Sequence, residues 1–259
     1  MSTVIRELHQ PEEIAQIPHL EQAIWHDPSD TIRSGTLMAL VHEGALLAGA
    51  YQQDKLVGFV FGFPTDRPSE LHSHMAGVLP AYQATGVGFL LKRYQRDWAL
   101  CKGYARVVWT FDPLRATNAH FNLNKLGATF RRYIPNCYGT MGGINAGAPS
   151  DRVYAVWELR DRRVLERLYG PPPAPRLEGV PQVNRLEGDL PVGLELGLEA
   201  PRLLAQIPED WGHILQTNPV LAQRWREHSR ELFGHYLAQG YQATHFVRGP
   251  SRYLLERLP

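Results

Sequence analysis

"LPAYQATGVGFLLKRY" spans residues 79–94, and its two glycines, Gly86 and Gly88, stand where a helix is about to begin. Leu90, Leu91, Tyr94 and Trp98 recur at helical spacing, so the run 87–102 predicts a helix with these four on one face. Gly103 after Lys102 is a helix stop. A strand-like stretch, "LHSHMAGVL" (71–79), leads in and ends at Pro80. Strand, loop and helix N-terminus in this order make an anion cradle. The first turn of a helix has about four backbone N–H groups without an intrahelical partner, and the helix dipole adds partial positive charge there. Glycines let the backbone approach an anion closely and adopt positive φ. The other use of the same glycines is a tight turn that serves packing alone. There is no third glycine at the dinucleotide-binding offset and no Lys-Ser/Thr pair of a P-loop.

Outward from this stretch, "TVIRELH" (3–9) reads as a first strand, and Pro11 opens a helix that Pro18 kinks or splits. A helix over 30–44 follows, ending at Gly44. Strands at 45–53 and 55–64 meet in a tight polar turn at Asp54. Beyond the central helix come a strand at 105–113, a short helix at 116–126 closed by Gly127, and strands at 129–135 and 151–160 around a glycine-rich loop. "GPPPAPRLEGVPQVNRLEGDLP" then breaks the composition and reads as a linker. A strand at 201–208 follows, then a helix capped by Asn218-Pro219, with Leu221, Trp225, Leu232 and Tyr236 as its buried face and Gly240 as its stop. "YQATHFV" and "RYLLERL" close the chain as a hairpin. The expected division is a domain over 1–168, a Pro/Gly-rich linker over 169–200 and a small αβ lobe over 201–259. The order strand, helix, strand, strand occurs twice, from "VVWTFDP" and again from "LLAQIPED"; a weak internal repeat and a generic strand–helix–hairpin both account for it.

Composition bounds the partners. The 259 residues are 44% hydrophobic and 20% charged, with formal net charge +1, which gives no electrostatic case for nucleic acid or a membrane surface as main partner. Cys101 and Cys137 lack metal-ligand spacing and read as reduced thiols. "MSTVIRELHQPEEIAQ" has no apolar core of a signal peptide, and no apolar run approaches the ~20 residues of a membrane span, so the expectation is a cytoplasmic protein.

Gln83, Gly86 and Gly88 fit the pattern Gln/Arg-x-x-Gly-x-Gly/Ala, and this stretch resembles motif A of the GNAT superfamily of acyl-CoA N-acyltransferases. "MAGVLPAYQ" before it and "VVWTFDP…NAHFNLNKLGA" after it resemble the family's flanking elements, so the resemblance covers residue 3 to about 160. It implies an α/β fold, a mixed sheet flanked by helices, here with a C-terminal strand–helix–hairpin lobe. It implies acetyl-CoA as cosubstrate, no metal, and direct attack of an amine on the thioester. The backbone of Ala76, Gly77 and Val78 would then pair with the pantetheine arm, and that of Gln83, Ala84, Thr85, Gly86, Val87 and Gly88 would hold the pyrophosphate. Asn118, near a helix start, would contact the cofactor or merely cap the helix. The family's usual tyrosine, four residues before the helix-closing glycine, is Leu123 here; Tyr133 and Tyr138 are candidate substitutes.

Side chains able to move a proton sit on the strand before the loop. His72 and His74 alternate with Ser73, so both are expected on one face, and Glu70 begins the strand. An imidazole suits removal of a proton from an amine. His74 is the first candidate base and Glu70 the second, with a hydrogen-bonded surface histidine as the plain alternative. His72, Asp112, Asp151 and Arg152 are candidate substrate contacts, although Asp151 and Arg152 could instead pair with each other. Trp225, Arg226 and His228 read as core and solvated helix face. The function expected is acetyl-CoA-dependent N-acetylation of a small amine or amino-acid derivative. The alternative is an acyl-CoA-binding module without efficient catalysis, and a homodimer stays open.

Overall fold

The structure is a computed structural model that describes residues 2–28, 31–170 and 174–257. The expected start of a helix at Asp30, the prolines 171–173 and the last residue of the closing strand, Leu258, lie outside them. The first half of the chain runs β1 (Val4–Glu7), α1 (Pro11–Ile14), α2 (Ile17–Trp25), α3 (Ser34–His42), β2 (Leu46–Gln52), β3 (Lys55–Pro64), β4 (Glu70–Val78), α4 (Val87–Cys101) and β5 (Arg106–Phe111). The second half runs α5 (Ala116–Ala119), β6 (Thr129–Ile134), β7 (Arg152–Glu158), α6 (Arg162–Tyr169), β8 (Arg185–Glu187), β9 (Leu190–Val192), β10 (Arg202–Gln206), α7 (Trp211–Thr217), α8 (Pro219–Ala238), β11 (Tyr241–Val247) and β12 (Arg252–Arg257).

Two compact units emerge. The first comprises Met1–Trp109 with Gly142–Ile144 and Glu158–Arg160; the second comprises Thr110–Met141, Asn145–Trp157 and Asp161–Pro259. The division differs from the boundary expected near residue 168.

In the first unit the strand order is β1-β2-β3-β4-β5. β1 to β4 pair antiparallel, and β4 pairs parallel with β5, which makes the sheet mixed. β2 and β3 are almost wholly apolar because both faces are covered. Leu47, Phe59 and Phe61 pack with Ile14, Ile17 and Leu37 of the first three helices. Leu46, Ala48, Val57 and Val60 pack with Val87 and Leu91 of α4 on the other face. Burial of each such large side chain contributes ~1.5–3 kcal/mol. Gln53 and Asp54 have φ of 48° and 62°, the left-handed pair that a two-residue hairpin needs. Pro18 sits in the first turn of α2, so it begins a helix rather than kinking one.

The expected face of α4 needs correction. Leu90 points outward, while Lys92, Gln95 and Arg96 are buried with Leu91. The strands beneath α4 offer polar partners: Arg96 donates to the Leu159 carbonyl from Nε at 3.0 Å and Nη2 at 2.7 Å.

In the second unit β7-β6-β11-β12-β10 are neighbours in that order. β6 and β11 are the joining strands, paired at Phe130 and Ala243, and each has its own hairpin partner, β7 and β12. The twice-occurring strand–helix–hairpin order therefore meets edge to edge. Rings of Phe130, Phe233, Phe246 and Tyr253 form an edge-to-face cluster with centroids 5.0–5.8 Å apart. α6, residues 162–169, ends where the linker was expected to begin, and inside the expected linker residues 185–192 form a small hairpin. Side chains of α8 and β11 tie the following segment down: Trp225 Nε1 donates to the Asp189 carbonyl, Tyr236 OH to that of Glu195 and Tyr241 OH to that of Ala200, at 2.6–2.8 Å. The N-cap at Asn218 is present, its side chain accepting from Leu221 N at 3.0 Å. Along α8, Trp225, Leu232 and Tyr236 are buried, while Leu221 is only half-buried.

Candidate functional site

β4 and β5 begin as a parallel pair and then part. Their register is Glu70 with Arg106, Leu71 with Val107 and His72 with Val108, and among the described residues the pairing stops there. β4 continues to Val78 bonded only on its β3 side, and β5 continues to Phe111. The backbone of residues 73–78 thus faces a fork.

At the mouth of the fork β4 also changes its spacing. Phe61 pairs with Met75 and Gly62 with Ser73, so His74 is the extra residue of a β-bulge. Simple alternation does place His72 and His74 on one face, with rings 5.9 Å apart. It does not foresee that the bulge leaves His74 exposed beside Phe63, at 5.6 Å, while His72 is half-buried. Burial first, then the neighbouring His74, lowers the His72 pKa to about 4, so its imidazole is neutral near pH 7. Glu70 is buried, and Arg67 Nη1 lies 3.3 Å from its carboxylate. Of the two candidate bases, only His74 is exposed at the fork.

β4 leads through a short 3-10 turn, residues 80–82, into the glycine loop. Ala84 and Gly86 are left-handed, with φ of 60° and 92°, and Gly86 is the N-cap of α4. The Thr85 hydroxyl between them donates to the Tyr82 carbonyl at 2.7 Å. Gln83 Nε2 donates to the Val78 carbonyl at 3.0 Å and so fastens the loop to the end of β4. The first helical bond of this turn runs from Leu90 N to Gly86 O, so the amides of residues 87–89 form the open end of α4. A side chain at Gly86 would meet nothing within 4 Å, and one at Gly88 only Val78 Cγ2 at 3.8 Å. Among the described residues both glycine positions are uncrowded, as an anion cradle requires.

Residues 4–127 match the sequence model of the Acetyltransferase (GNAT) family. That stretch, just under half of the chain, is a GNAT-family domain by its sequence match. Among curated proteins none matches it by sequence. Of solved structures, the ribosomal-protein-S18-alanine N-acetyltransferase from Escherichia coli is similar at 19% identity and TM-score 0.51, over 61% of this chain and 94% of that one. The yncA protein from Salmonella typhimurium, solved with its cofactor acetyl-CoA, is similar at 17% identity and TM-score 0.50, over 62% and 96%. At such identities these likenesses speak for the GNAT fold.

The candidate residues beyond the fork belong to the second unit, and most are engaged in its structure. Asp112 is buried. It accepts from Arg226 Nη1 at 2.8 Å, from Arg226 Nη2, from Trp211 Nε1 at 3.0 Å and from Leu114 N at 3.0 Å. Burial pushes this carboxyl up, but the Arg226 guanidinium outweighs it and leaves Asp112 below the usual carboxylate range. Asp151 accepts from Arg230 at 2.9 and 3.0 Å and from Tyr133 OH at 2.7 Å. Arg152 does not pair with the Asp151 carboxylate; its Nη1 donates to the Asp151 backbone carbonyl at 2.9 Å. The substrate roles expected for Asp112 and Asp151 therefore give way to ion pairs with α8. Arg226, expected on a core or solvated face, is a buried partner. Asn118 is exposed in α5, whose N-cap is Arg115, so it is no cap. Leu123 is buried in a π-turn over residues 120–125, and its carbonyl accepts from Arg167 Nε at 3.0 Å. Of the tyrosines named as substitutes, Tyr133 is tied to Asp151 and Ser229, and Tyr138 OH lies 2.7 Å from Thr110 Oγ1. Among the described residues no cluster of metal-ligating side chains occurs, and no helix is long and apolar enough to cross a membrane.

One polar group at the fork escapes sequence reasoning. Lys92 is buried between Ser73, Gln95 and Trp109. Its spacing from Gln95 and Arg96 on α4 was the available signal, and it reads equally as a solvated stripe.

Proposed function

We propose that this chain is an acetyl-CoA-dependent N-acetyltransferase that acts on a small amine or amino-acid derivative by direct transfer. The observation that carries this is the combination, at one end of β4, of a strand fork and an uncrowded helix N-terminus. An extended thiol arm fits an unpaired strand edge, and a diphosphate fits the amides of residues 84–89. The backbone of exposed Ala76 and of its neighbour Gly77 would take the arm. The Val78 carbonyl already holds Gln83, which serves as a brace. When bound, acetyl-CoA supplies an activated acyl thioester. His74 accepts the proton of the incoming ammonium through its imidazole, which makes the amine nitrogen nucleophilic. Neutral His72 beside it adds no positive charge to repel that ammonium. The fixed strand edge supplies orientation. Cytoplasmic location belongs to the same proposal.

A second reading, acyl-CoA binding without efficient transfer, is favoured by Leu123 at the position of the family's usual tyrosine. One assay separates the two. Thiol release from acetyl-CoA is followed against a panel of small amines and amino-acid derivatives. Acceptor-dependent release supports transfer. Tight CoA binding with no release above background for any acceptor class supports the binding module and overturns the enzyme reading.

A further inference from the structure

Ser73 and Trp109 are the first residues of β4 and β5 beyond their last parallel pair. Both meet one side chain from α4. Lys92 Nζ lies 3.0 Å from Ser73 Oγ, 2.6 Å from Gln95 Oε1 and 4.2 Å from the centroid of the Trp109 ring. Lys92 is 4% exposed, Ser73 5% and Gln95 0%. An ammonium has three N–H donors, and these three contacts point it into the point where the strands separate. A buried cation is costly unless each donor is satisfied, so such a group persists where its position has a use.

We propose that Lys92 is a positioning residue for the acyl donor: its ammonium stands as a wedge between Ser73 and Trp109 and holds the β4–β5 fork at the width the thiol arm needs. The inference rests on the acetyl-CoA reading above. It adds a residue on α4 that lies outside the glycine loop and is distinct from the candidate base. Two further features support it. Among the described residues Gln95 Nε2 is buried without a hydrogen-bond partner, so the Gln95 amide is oriented through its oxygen by Lys92. A Cβ at Gly62 would lie 2.9 Å from that Nε2, so β3 holds the amide in place from the other side.

The wedge depends on charge. Burial lowers the Lys92 pKa to about 7. His72 on β4 senses the Lys92 charge; the other ionisable residues on the elements that carry its partners include His74 and Glu70 on β4, Arg93, Arg96 and Asp97 on α4, and Arg106 on β5. β3 presents no ionisable side chain near it, since its one lysine is at the far end, Lys55. Loss of the proton removes one donor and the cation–π attraction to the Trp109 ring, which weakens the wedge.

The test is calorimetric titration with CoA of the wild type and Lys92→Met, which keeps the stem and removes the ammonium, at pH 6 and pH 8.5. The ionisation of CoA itself is common to both proteins, so the ratio of their dissociation constants isolates Lys92. The expected ratio is roughly tenfold weaker binding by the variant at pH 6, within the range for loss of positioning, closing toward unity at pH 8.5. A ratio near unity at pH 6, or one that does not change with pH, overturns the proposal. Should Lys92→Met fail to fold, Ser73→Ala removes one anchor of the wedge and should weaken binding in the same direction at pH 6 by a smaller factor; unchanged binding overturns it. If the wild type binds no CoA at either pH, the functional reading falls and this inference with it, a result distinct from a wild type that binds while both variants match it.

Discussion

The two units treat their polar groups in opposite ways. In the second, Asp112 is held by Arg226, Trp211 and a backbone amide, and Asp151 by Arg230, Tyr133 and the Asn136 amide. In the first, among the described residues, the glycines at the open end of α4 are uncrowded, the β5-side edge of β4 beyond His72 has no strand partner, and His74 is exposed on a bulge. A carboxylate whose oxygens are filled by the protein's own donors has nothing left for a substrate. Backbone amides at an open helix end and an exposed imidazole keep that capacity. Polar residue type alone does not separate site from scaffold; the state of its hydrogen bonds does.

The largest expected effect breaks the scaffold side. Arg226→Met would leave Asp112 buried and charged without its guanidinium. Removal of one partner of a buried pair costs ~3–5 kcal/mol, and urea melting should show a loss of that order. A loss below ~1 kcal/mol would mean that Asp112 reaches solvent after all, and would return it to the candidate substrate residues.

A smaller effect, on the site side, concerns the base. His74→Ala should lower turnover by ~10²-fold, the low end for general-base work, and flatten the acidic limb of the pH–rate profile. Its urea midpoint should stay near that of the wild type, because the side chain is exposed. Wild-type turnover across pH would make His74 a surface histidine and pass the role to Glu70.

The smallest effect is graded with pH. Burial is the leading cause that lowers His72 in the first unit, and His120, His228 and His245 in the second, to about 4. An unfolded imidazole titrates at ~6.5, so between that pH and 4 the unfolded chain binds more protons and stability falls as the pH drops. Stability should be flat above pH 7 as far as these groups go, and the urea midpoint should decline steadily from pH 6.5 to 4. The variant His72→Phe should make that decline shallower by about one proton's worth. An unchanged slope would show that His72 takes up its proton in the folded state, as an exposed histidine does.

Much of the first unit was legible in the sequence because its signals are local. Gly86, Gly88 and the helical period after them lie within one turn of each other, and Asn218-Pro219 announces α8 in two residues. The bulge at His74 was not legible, because it depends on how β4 aligns with β3, which no stretch of β4 reveals alone. The ion pair of Asp112 with Arg226 spans 114 positions and exists only once the turn at Asp112 and α8 are packed within the second unit. Helices α6 and α7 were missed for a different reason: they are short, eight and seven residues. Their caps were readable, since Asp161 accepts from Arg163 N and Asp210 from His213 N. The proline-rich segment was read as free chain because its anchors, Trp225, Tyr236 and Tyr241, are remote in sequence.

The central claim is that the loop before α4 holds the diphosphate of an acyl-CoA. Gly86 is a poor place to test it, since at φ 92° any side chain adds strain. Gly88 lies within the first turn of α4 with room beside it. A glutamate there also suits the helix dipole, which at ~0.3–1 kcal/mol favours the fold rather than weakening it. Calorimetric titration of Gly88→Glu with CoA therefore separates binding from stability. The account predicts wild-type binding that the variant loses while its melting temperature is held or raised; a variant that melts like the wild type and binds CoA as tightly would contradict it.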